Sequence, residues 1–391
     1  MKTAYKFRMY PNKLQEAVLG VTLETCRHLY NEALAAKKDA WEDDHTNISY
    51  VDMSKQVVTN RKRNPYLSPV FAHVLNDPLK RLDKAFNNFY RRVKEGAKEK
   101  GYPRFKGKDR YNSFTYPDAG IGYKIEGSRL VLSKIGSIRI FKHREIEGKV
   151  KTCTLKRDGT GCWYAIFTTY KEDPVRLEPE TVIGVDLGIS HAAVTSEGLV
   201  FDYPKYYVQA EKKNRAAEKT LHRRKKGSQN RKKAQIALSR IGKRVTNLRD
   251  EFCHQVSRKL VDSADVVIFE DLNIAGMVKN HNLAKHISDV SWGKLVQYTQ
   301  SKAERAGKCV VLVDPRNTSQ RCSGCGQIVQ KDLSERVHSC PFCGLTLDRD
   351  FNAALNILTL GLRGIAYRES TSTLSIRATA SRLREVGSPA L

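Results

Sequence analysis

Hydrophobic alternation opens the chain. In "AYKFRMY", Tyr5, Phe7 and Met9 fall on one face and Lys6 and Arg8 on the other, the period of a half-buried strand. Pro11 ends it. The pattern then lengthens to helical spacing in "NKLQEAVLGV": Asn12 and Gln15 have capping-box spacing, and Leu14, Ala17, Val18 and Val21 form the predicted apolar stripe. Helical patterning runs to about residue 100, broken near "EDDHTN" and by Pro65 and Pro69. Its last segment, from "FAHVLNDPLK" onward, is amphipathic with a basic solvent side. From 101 the texture changes: "GYPRFKGKDRYNSFTYP" is aromatic, basic and rich in turn formers. Hairpin signals follow in "RLVLSKIGSIRIF" and in "KTCTLKRDGTGCWYAIFTTY", the latter turning at Asp158-Gly159. Residues 101–172 therefore read as a small β unit joined by the first strand, with the helices of 11–100 inserted between. "KEDPVRLEPE" reads as a linker.

Residues 181–360 read as three strands, long helices, a strand, a helix, a strand, a cysteine cluster and a final helix. The strands are "TVIGVDLGI", "AAVTSEG", "VFDY", "VVIFEDL" and "CVVLVDP". "SWGKLVQYTQSKAERAG" is the helix between the last two, and Gly307 is placed to stop it. The segment 361–391 is Ser/Thr/Arg-rich without a period and is expected to be disordered.

Acids interrupt the apolar segments. Asp186 sits in "VIGVDLGIS", Glu270 ends "VVIFE", and Asp348 and Asp350 open the helix "DFNAALNI". An ionised carboxylate taken from water without a partner costs several kcal/mol or shifts its pKa. Alternation puts Gly184 and Asp186 on one strand face, and strand ends are where open α/β sheets bind ligands. Each acid alone also fits a cap or a turn. Three acids converging need a cation, and Mg²⁺ takes oxygen ligands. Two such ions about 3.5–4 Å apart serve in-line phosphodiester attack. Acid on the first strand, acid on the fourth, acid on the last helix is the order of the RNase H-like fold.

The cysteines divide in two groups. Cys26, Cys153, Cys162, Cys253 and Cys309 are scattered and read as ordinary, mostly buried thiols. Cys322, Cys325, Cys340 and Cys343 form two C-x-x-C knuckles 14 residues apart, each followed by glycine. That pattern suits one tetrahedral Zn²⁺; with four sulfurs the site has no opening for substrate and reads as structural, with His338 a bystander.

Charge narrows the partner. The 391 residues carry 69 Lys and Arg against 42 Asp and Glu, a formal net charge of +27, which calls for a polyanion. No apolar run approaches about 18 residues, so a membrane partner is not expected. The start is charged and alternating, unlike a secretory signal. Few cysteines for the length fit a reducing cytoplasm. Between Lys205 and Arg244 stand 15 Lys and Arg against two Glu, and Arg223, Arg224, Lys225 and Lys226 are consecutive. "GYPRFKGK" mixes Tyr102 and Phe105 with Arg104 and Lys106, a combination suited to stacking on unpaired bases and to phosphate contact.

"GVDLGI", "FEDLNI", "CSGCG…CPFCG" and "DRDFNAALNI", in this order, resemble the transposon-encoded TnpB (OrfB) family of RNA-guided DNA nucleases, relatives of the type V CRISPR effectors. "KFRMYPNKLQEAVL…CRHLYNEAL" and "GYPRFKGK" resemble its amino-terminal region, so the likeness spans about residues 1–357. The resemblance implies a multi-domain α+β chain. An oligonucleotide-binding wedge β-barrel would occupy 1–10 and 101–172, with a helical recognition domain at 11–100. A RuvC-like, RNase H-like nuclease domain would occupy 181–320 and 345–360, with a zinc-binding, target-nucleic-acid-binding lobe at 321–344. It implies Asp186, Glu270 and Asp350 as the metal-binding catalytic triad, with Asp348 in reserve. It also implies a guide RNA from the transposon end, a double-stranded DNA target beside a short flanking motif (Tyr50 and Ser54 being candidates to contact it), and a prokaryotic cytoplasmic setting with a monomer favoured. A DNA-binding regulator that does not cut, and a strand-transfer transposase, are the alternatives.

Overall fold

The computed structural model describes residues 1–369 apart from 62, 109, 177, 333 and 334. The chain divides into two compact units, Met1–Glu172 and Asp173–Leu391, and the division falls in the proline-bearing segment after residue 170.

The first unit starts with β1 (Lys2–Tyr10), followed by three helices: α1 (Lys13–Asp44), α2 (Tyr50–Arg61) and α3 (Ala72–Lys94). Six strands follow: β2 (Ser113–Tyr116), β3 (Tyr123–Glu126), β4 (Arg129–Leu132), β5 (Gly136–Phe141), β6 (Lys149–Arg157) and β7 (Trp163–Tyr170). All seven form one sheet in the order β2-β6-β7-β1-β5-β4-β3, every pairing antiparallel. The first strand thus lies in the middle of the sheet, between strands more than a hundred residues downstream. Tyr5, Phe7 and Met9 are its buried face, as the alternation requires, and Phe7 joins Phe114 and Phe167 in the core. Each fully buried aromatic contributes about 1.5–3 kcal/mol of transfer free energy. The β6–β7 turn is held by Asp158 Oδ1, which accepts from the N–H groups of Thr160 and Cys162 at 2.9 and 3.0 Å. α3 is tied to the sheet by Asp77, which accepts from the Thr115 N–H at 3.0 Å and pairs with Arg81 at 2.9 Å.

The capping box at Asn12 and Gln15 is formed, but the stripe expected on α1 is wrong. Leu14, Val18 and Val21 are exposed, Leu14 at 79%, and Ala17 is exposed with them. The buried face is Leu19, Leu23, Cys26, Leu29, Tyr30, Ala33 and Leu34. A 32-residue helix carries apolar residues on more than one side, and packing with α3 and the sheet selects which side is core.

The second unit contains β8 (Val182–Asp186), β9 (Ala193–Thr195), β10 (Val200–Phe201), α4 (Tyr206–His222), α5 (Gln229–Ser263), β11 (Val266–Glu270), α6 (Ile274–Met277), α7 (His281–Val290), α8 (Trp292–Arg305), β12 (Cys309–Val313), β13 (Val337–Ser339), β14 (Thr346–Asp348) and α9 (Arg349–Glu369). Its sheet has the order β10-β9-β8-β11-β12, with β11 parallel to both β8 and β12 and the β8–β9–β10 meander antiparallel. α6 and α7 are absent from the sequence-based expectation, which left 274–290 unassigned. Gly307, in the left-handed region, follows α8 as expected. β13 and β14 form a separate hairpin within the cysteine segment.

The expected disorder from 361 does not hold at its start: α9 continues to Glu369. Ile357 is buried against β11 and Leu358 packs there too, so the helix is docked well before its end. The rest of that expectation, 370–391, lies outside the described residues. No helix of the described residues is long and apolar enough to cross a membrane.

Candidate metal centres and nucleic-acid contacts

Two glycine-mediated contacts bring the acids together. β8 and β11 are parallel neighbours paired through Val185 and Phe269, so the next residues, Asp186 and Glu270, end adjacent strands side by side. α9 lies across these strands. A Cβ on Gly184 would meet the Ala354 carbonyl at 2.3 Å, and one on Gly361 would meet Ile268 Cδ1 at 2.1 Å. Only glycine permits that approach, and it sets the first turn of α9, with Asp350, over the end of β8. Trp292 Nε1 donates to the Gly188 carbonyl at 3.2 Å and pins the loop after Asp186.

Asp186, Glu270 and Asp350 are each more than nine-tenths buried. Burial pushes the Asp186 carboxyl well above its ordinary range, and the negative charges of Glu270 and Asp350 push it further. Burial raises Glu270 too, opposed by a hydrogen bond from the Thr318 hydroxyl to Oε1. Asp348 does a different job: its Oδ1 accepts the N–H groups of Asp350 and Phe351 at 2.9 and 3.0 Å, which caps α9.

Among the described residues, no lysine or arginine forms a salt bridge with any of the three. Asp289, also buried, shows the alternative: it accepts from Arg249 at 2.7 Å, from the Tyr203 hydroxyl at 2.9 Å and from the Tyr207 N–H. Asp289 is a satisfied structural acid, whereas the Asp186 group is an oxygen-only set without an ion-paired partner, in which the positive charge of Arg349 opposes the rise at Asp186 but does not cancel it. That donor set fits a hard divalent cation such as Mg²⁺. The carboxylate oxygens do not draw into a group as tight as the cysteine sulfurs do.

The four cysteine sulfurs lie within 4.8 Å of one another, with Cys322–Cys343 and Cys325–Cys340 at 3.6 Å. Sulfurs set about 2.3 Å from a central zinc in a tetrahedron are about 3.8 Å apart, so the set fits Zn²⁺. Each knuckle closes identically. The N–H groups of Gly326 and Gly344 donate to the carbonyls of Cys322 and Cys340, both at 2.9 Å, and both glycines have positive φ. At Cys340 desolvation is outweighed by backbone N–H groups of Cys343 and Phe342, which bring the thiol down to about 6. Cys343 is pushed up to about 12: the Leu345 N–H opposes the shift, while desolvation and the neighbouring thiols drive it. Four thiols this close ionise together only around a cation. His338 is buried outside the sulfur group, with Nδ1 facing Lys331. Of the scattered cysteines, Cys26, Cys153 and Cys253 are buried and Cys309 is exposed.

The nucleic-acid candidates separate by exposure. Arg223, Arg224, Lys225 and Lys226 are all exposed, on the turn between α4 and α5 rather than within one helix; Ser228 caps α5 by accepting from the Arg231 N–H. No residue of α4 is buried. In "GYPRFKGK", Pro103 is buried and anchors a segment whose Tyr102, Arg104 and Phe105 are exposed. Tyr102 still packs edge-on against Phe86 and Phe89, and the Lys106 backbone is gripped by Asn31. Tyr50 packs on the core, and the Ser54 hydroxyl donates to Asn76 at 3.0 Å, joining α2 to α3.

Thr318, Asn352 and Asn356 were not singled out in the sequence, although all three are buried. Their signals were faint: a threonine four residues before the first knuckle, and two asparagines one turn apart in an apolar helix. A cleft of about 240 Å³ opens beside Thr318, with Gln320, Lys331 and Arg349 in its wall.

A parallel-stranded α/β unit with buried acids at adjacent strand ends and a four-thiol hairpin segment beside its last helix defines a class, that of α/β domains with a carboxylate cluster at the strand ends and a four-cysteine metal-site candidate. Comparison with known proteins narrows it. Family models match at residues 292–357 (Cas12f1-like, TNB domain), 165–281 ("Probable transposase", OrfB of IS605) and 1–46 (a helix-turn-helix domain). Over that last stretch the chain folds as one strand and one continuous helix. A Streptomyces pristinaespiralis protein named "Putative RNA-guided DNA endonuclease" is 32% identical over 95% of this chain and 94% of its own. InsQ of Escherichia coli K12, named likewise, is 29% identical over 94% of each. The chain belongs to the TnpB (OrfB) family. Likeness to solved structures is looser: the mini-RNA-guided endonuclease Cas_phi3 has a TM-score of 0.48 and 11% identity over 93% of this chain and 92% of that one.

Proposed function

We propose that this protein is an RNA-guided DNA endonuclease of a transposable element, cutting target DNA beside a short flanking motif by metal-dependent phosphodiester hydrolysis. The observation that carries the proposal is the trio Asp186, Glu270 and Asp350: buried, unpaired with any cationic side chain among the described residues, and set at adjacent element ends. The net charge of +27 and the full-length similarity to relatives named for this activity support it.

In this reading the second unit is a RuvC-like nuclease domain carrying a zinc-binding lobe. The first unit is an oligonucleotide-binding barrel, and its helices form a recognition domain. Guide pairing reads the long target, while the protein holds the heteroduplex through backbone and shape. The Arg223–Lys226 turn and the α4–α5 pair offer phosphate contacts. Tyr102 and Phe105 offer stacking faces, with Arg104 beside them. Lys331 and Arg349 give the cleft beside Thr318 a cationic wall for a phosphate strand. Asp186, Glu270 and Asp350 are the residues that would hold a divalent metal through their carboxylate oxygens. Two Mg²⁺ ions, when bound, would supply charge stabilisation and an activated water. The four cysteines would hold a structural Zn²⁺ that keeps the ribbon folded.

The test uses protein purified with its own RNA. Sequencing that RNA should return one discrete species from the element's end, and Mg²⁺ should start cleavage of a matching duplex. Asp186→Ala should lower cutting at least about 10³-fold, the equivalent of about 4 kcal/mol, while guide-dependent binding survives. Ribosomal or random RNA would refute the proposal. Wild-type binding without cutting would point to a regulator instead, and strand transfer without guide RNA to a transposase.

A further inference from the structure

The Thr318 hydroxyl lies within reach of two acceptors, Glu270 Oε1 and, at 3.0 Å, the Pro315 carbonyl. It has one hydrogen to give. The carboxylate is the stronger acceptor once ionised, because a charge-assisted hydrogen bond is roughly twice as strong as a neutral one. Thr318 is itself held from α9. The Asn356 amide donates to the Thr318 carbonyl at 2.9 Å and to the Arg321 carbonyl at 2.7 Å. One turn earlier, the Asn352 amide donates to the same Arg321 carbonyl at 2.8 Å, and its Oδ1 accepts the Ser323 N–H at 2.9 Å. Arg321 and Ser323 flank Cys322, the first thiol of the zinc knuckle.

One helix therefore carries Asp350 in its first turn and, through two buried asparagines, grips both the first knuckle and the threonine that bonds Glu270. We propose that Thr318 is a positioning residue for the metal centre: it fixes one oxygen of Glu270, leaves the other for a cation, and is kept in place by the Asn352–Asn356 clamp that also seats the zinc ribbon. The methyl group of threonine serves this by stiffening χ1. The competing possibility is that the hydroxyl only closes the turn at Pro315, in which case the centre is indifferent to it.

The inference rests on the nuclease reading and is tested so that the two fail separately. The guide-loaded protein carries Thr318→Val, Thr318→Ser or Asn356→Ala. Four quantities are measured: Mn²⁺ affinity by electron paramagnetic resonance, the Mg²⁺ concentration for half-maximal cleavage, zinc content and target binding. Thr318→Val should weaken Mn²⁺ binding and raise the Mg²⁺ requirement about tenfold, the scale for losing a hydrogen bond to a charged group, with zinc content and target binding unchanged. Thr318→Ser should restore both to within about twofold. Asn356→Ala keeps the hydroxyl and loosens its anchor, and should shift both about threefold. Wild-type metal dependence in Thr318→Val overturns the proposal, as does serine behaving like valine. If Thr318→Val fails to fold, an unshifted Asn356→Ala overturns it. A wild-type protein that neither binds Mn²⁺ nor cuts defeats the nuclease reading itself.

Discussion

The carboxylate cluster and the cysteine cluster belong to the same unit and pose the same problem, like charges held close, yet they are assembled in opposite ways. The cysteines come from two short hairpin knuckles, each built by its own five-residue stretch and closed by a glycine with positive φ. The carboxylates come from residues 186, 270 and 350, and meet only because a parallel strand pair and a crossing helix put them there. The thiols are satisfied by local backbone N–H groups and by one another. The acids have the Thr318 hydroxyl on Glu270 and the positive charge of Arg349 near Asp186, which leave the Asp186 carboxyl still raised. A site made of local turns should depend on its metal for folding. A site made by tertiary packing should depend on its scaffold for geometry, and its bare charges should weaken the fold until a cation arrives.

The largest effect that could break this contrast comes from removing zinc. Structural zinc contributes on the order of 10 kcal/mol to small zinc domains. Cys322→Ser, or a strong chelator, should empty the site and unfold the ribbon, seen as zinc loss and a lowered first thermal transition. A variant that keeps its melting profile without zinc would mean that the knuckles hold without metal.

Gly184→Ala should be the next largest. Its methyl would press on the Ala354 carbonyl and on the Leu358 nitrogen, 2.6 Å away, both backbone atoms that cannot step aside. Overpacking of this kind costs about 1–3 kcal/mol. Displacing Asp350 from Asp186 by even about 1 Å should lower cleavage about 10²-fold. Zinc content should not change, which separates the two clusters, and unaltered cleavage would disconnect the α9 approach from the site.

The smallest effect is a pH dependence. The raised Asp186 carboxyl holds its proton more tightly in the folded, metal-free protein than in the unfolded chain. Its contribution therefore favours folding in acid and declines as pH rises from about 4 through the raised pKa. Mg²⁺ needs the ionised form, so its stabilisation should grow over the same interval. The melting-temperature gain on adding Mg²⁺ should be about 2–4 °C larger at pH 8 than at pH 5, the shift expected for about 1 kcal/mol. Equal gains at both pH values would show that the acids are not the cation site.

What the sequence made legible follows the same division. The knuckles, the capping box at Asn12, the alternation of β1 and the stop at Gly307 are each decided by neighbouring residues, and each is found in the structure. The stripe on α1 was misjudged because helical periodicity marks where apolar residues recur, not which recurrence is covered; Leu14 and Val21 repeat as regularly as Leu19 and Leu23. The end of α9 is not legible in composition, because a helix already docked through Ile357 runs on through polar residues to Glu369. Thr318, Asn352 and Asn356 were missed because hydrogen-bond partners far apart in sequence leave no periodic trace.

The sequence by itself determined the charge that favours a polyanionic partner, the two paired-cysteine knuckles and the presence of acids where apolar strands end. These are matters of composition, local turn geometry and transfer free energy, which need no knowledge of the fold. Only the tertiary structure decided that Asp350 rather than Asp348 is the buried third acid. It also decided that Gly184 admits α9, and that Arg223–Lys226 fall on the turn between α4 and α5. Those outcomes depend on which backbone reaches which, and short-range preferences along a chain are nearly blind to distances between residues a hundred positions apart.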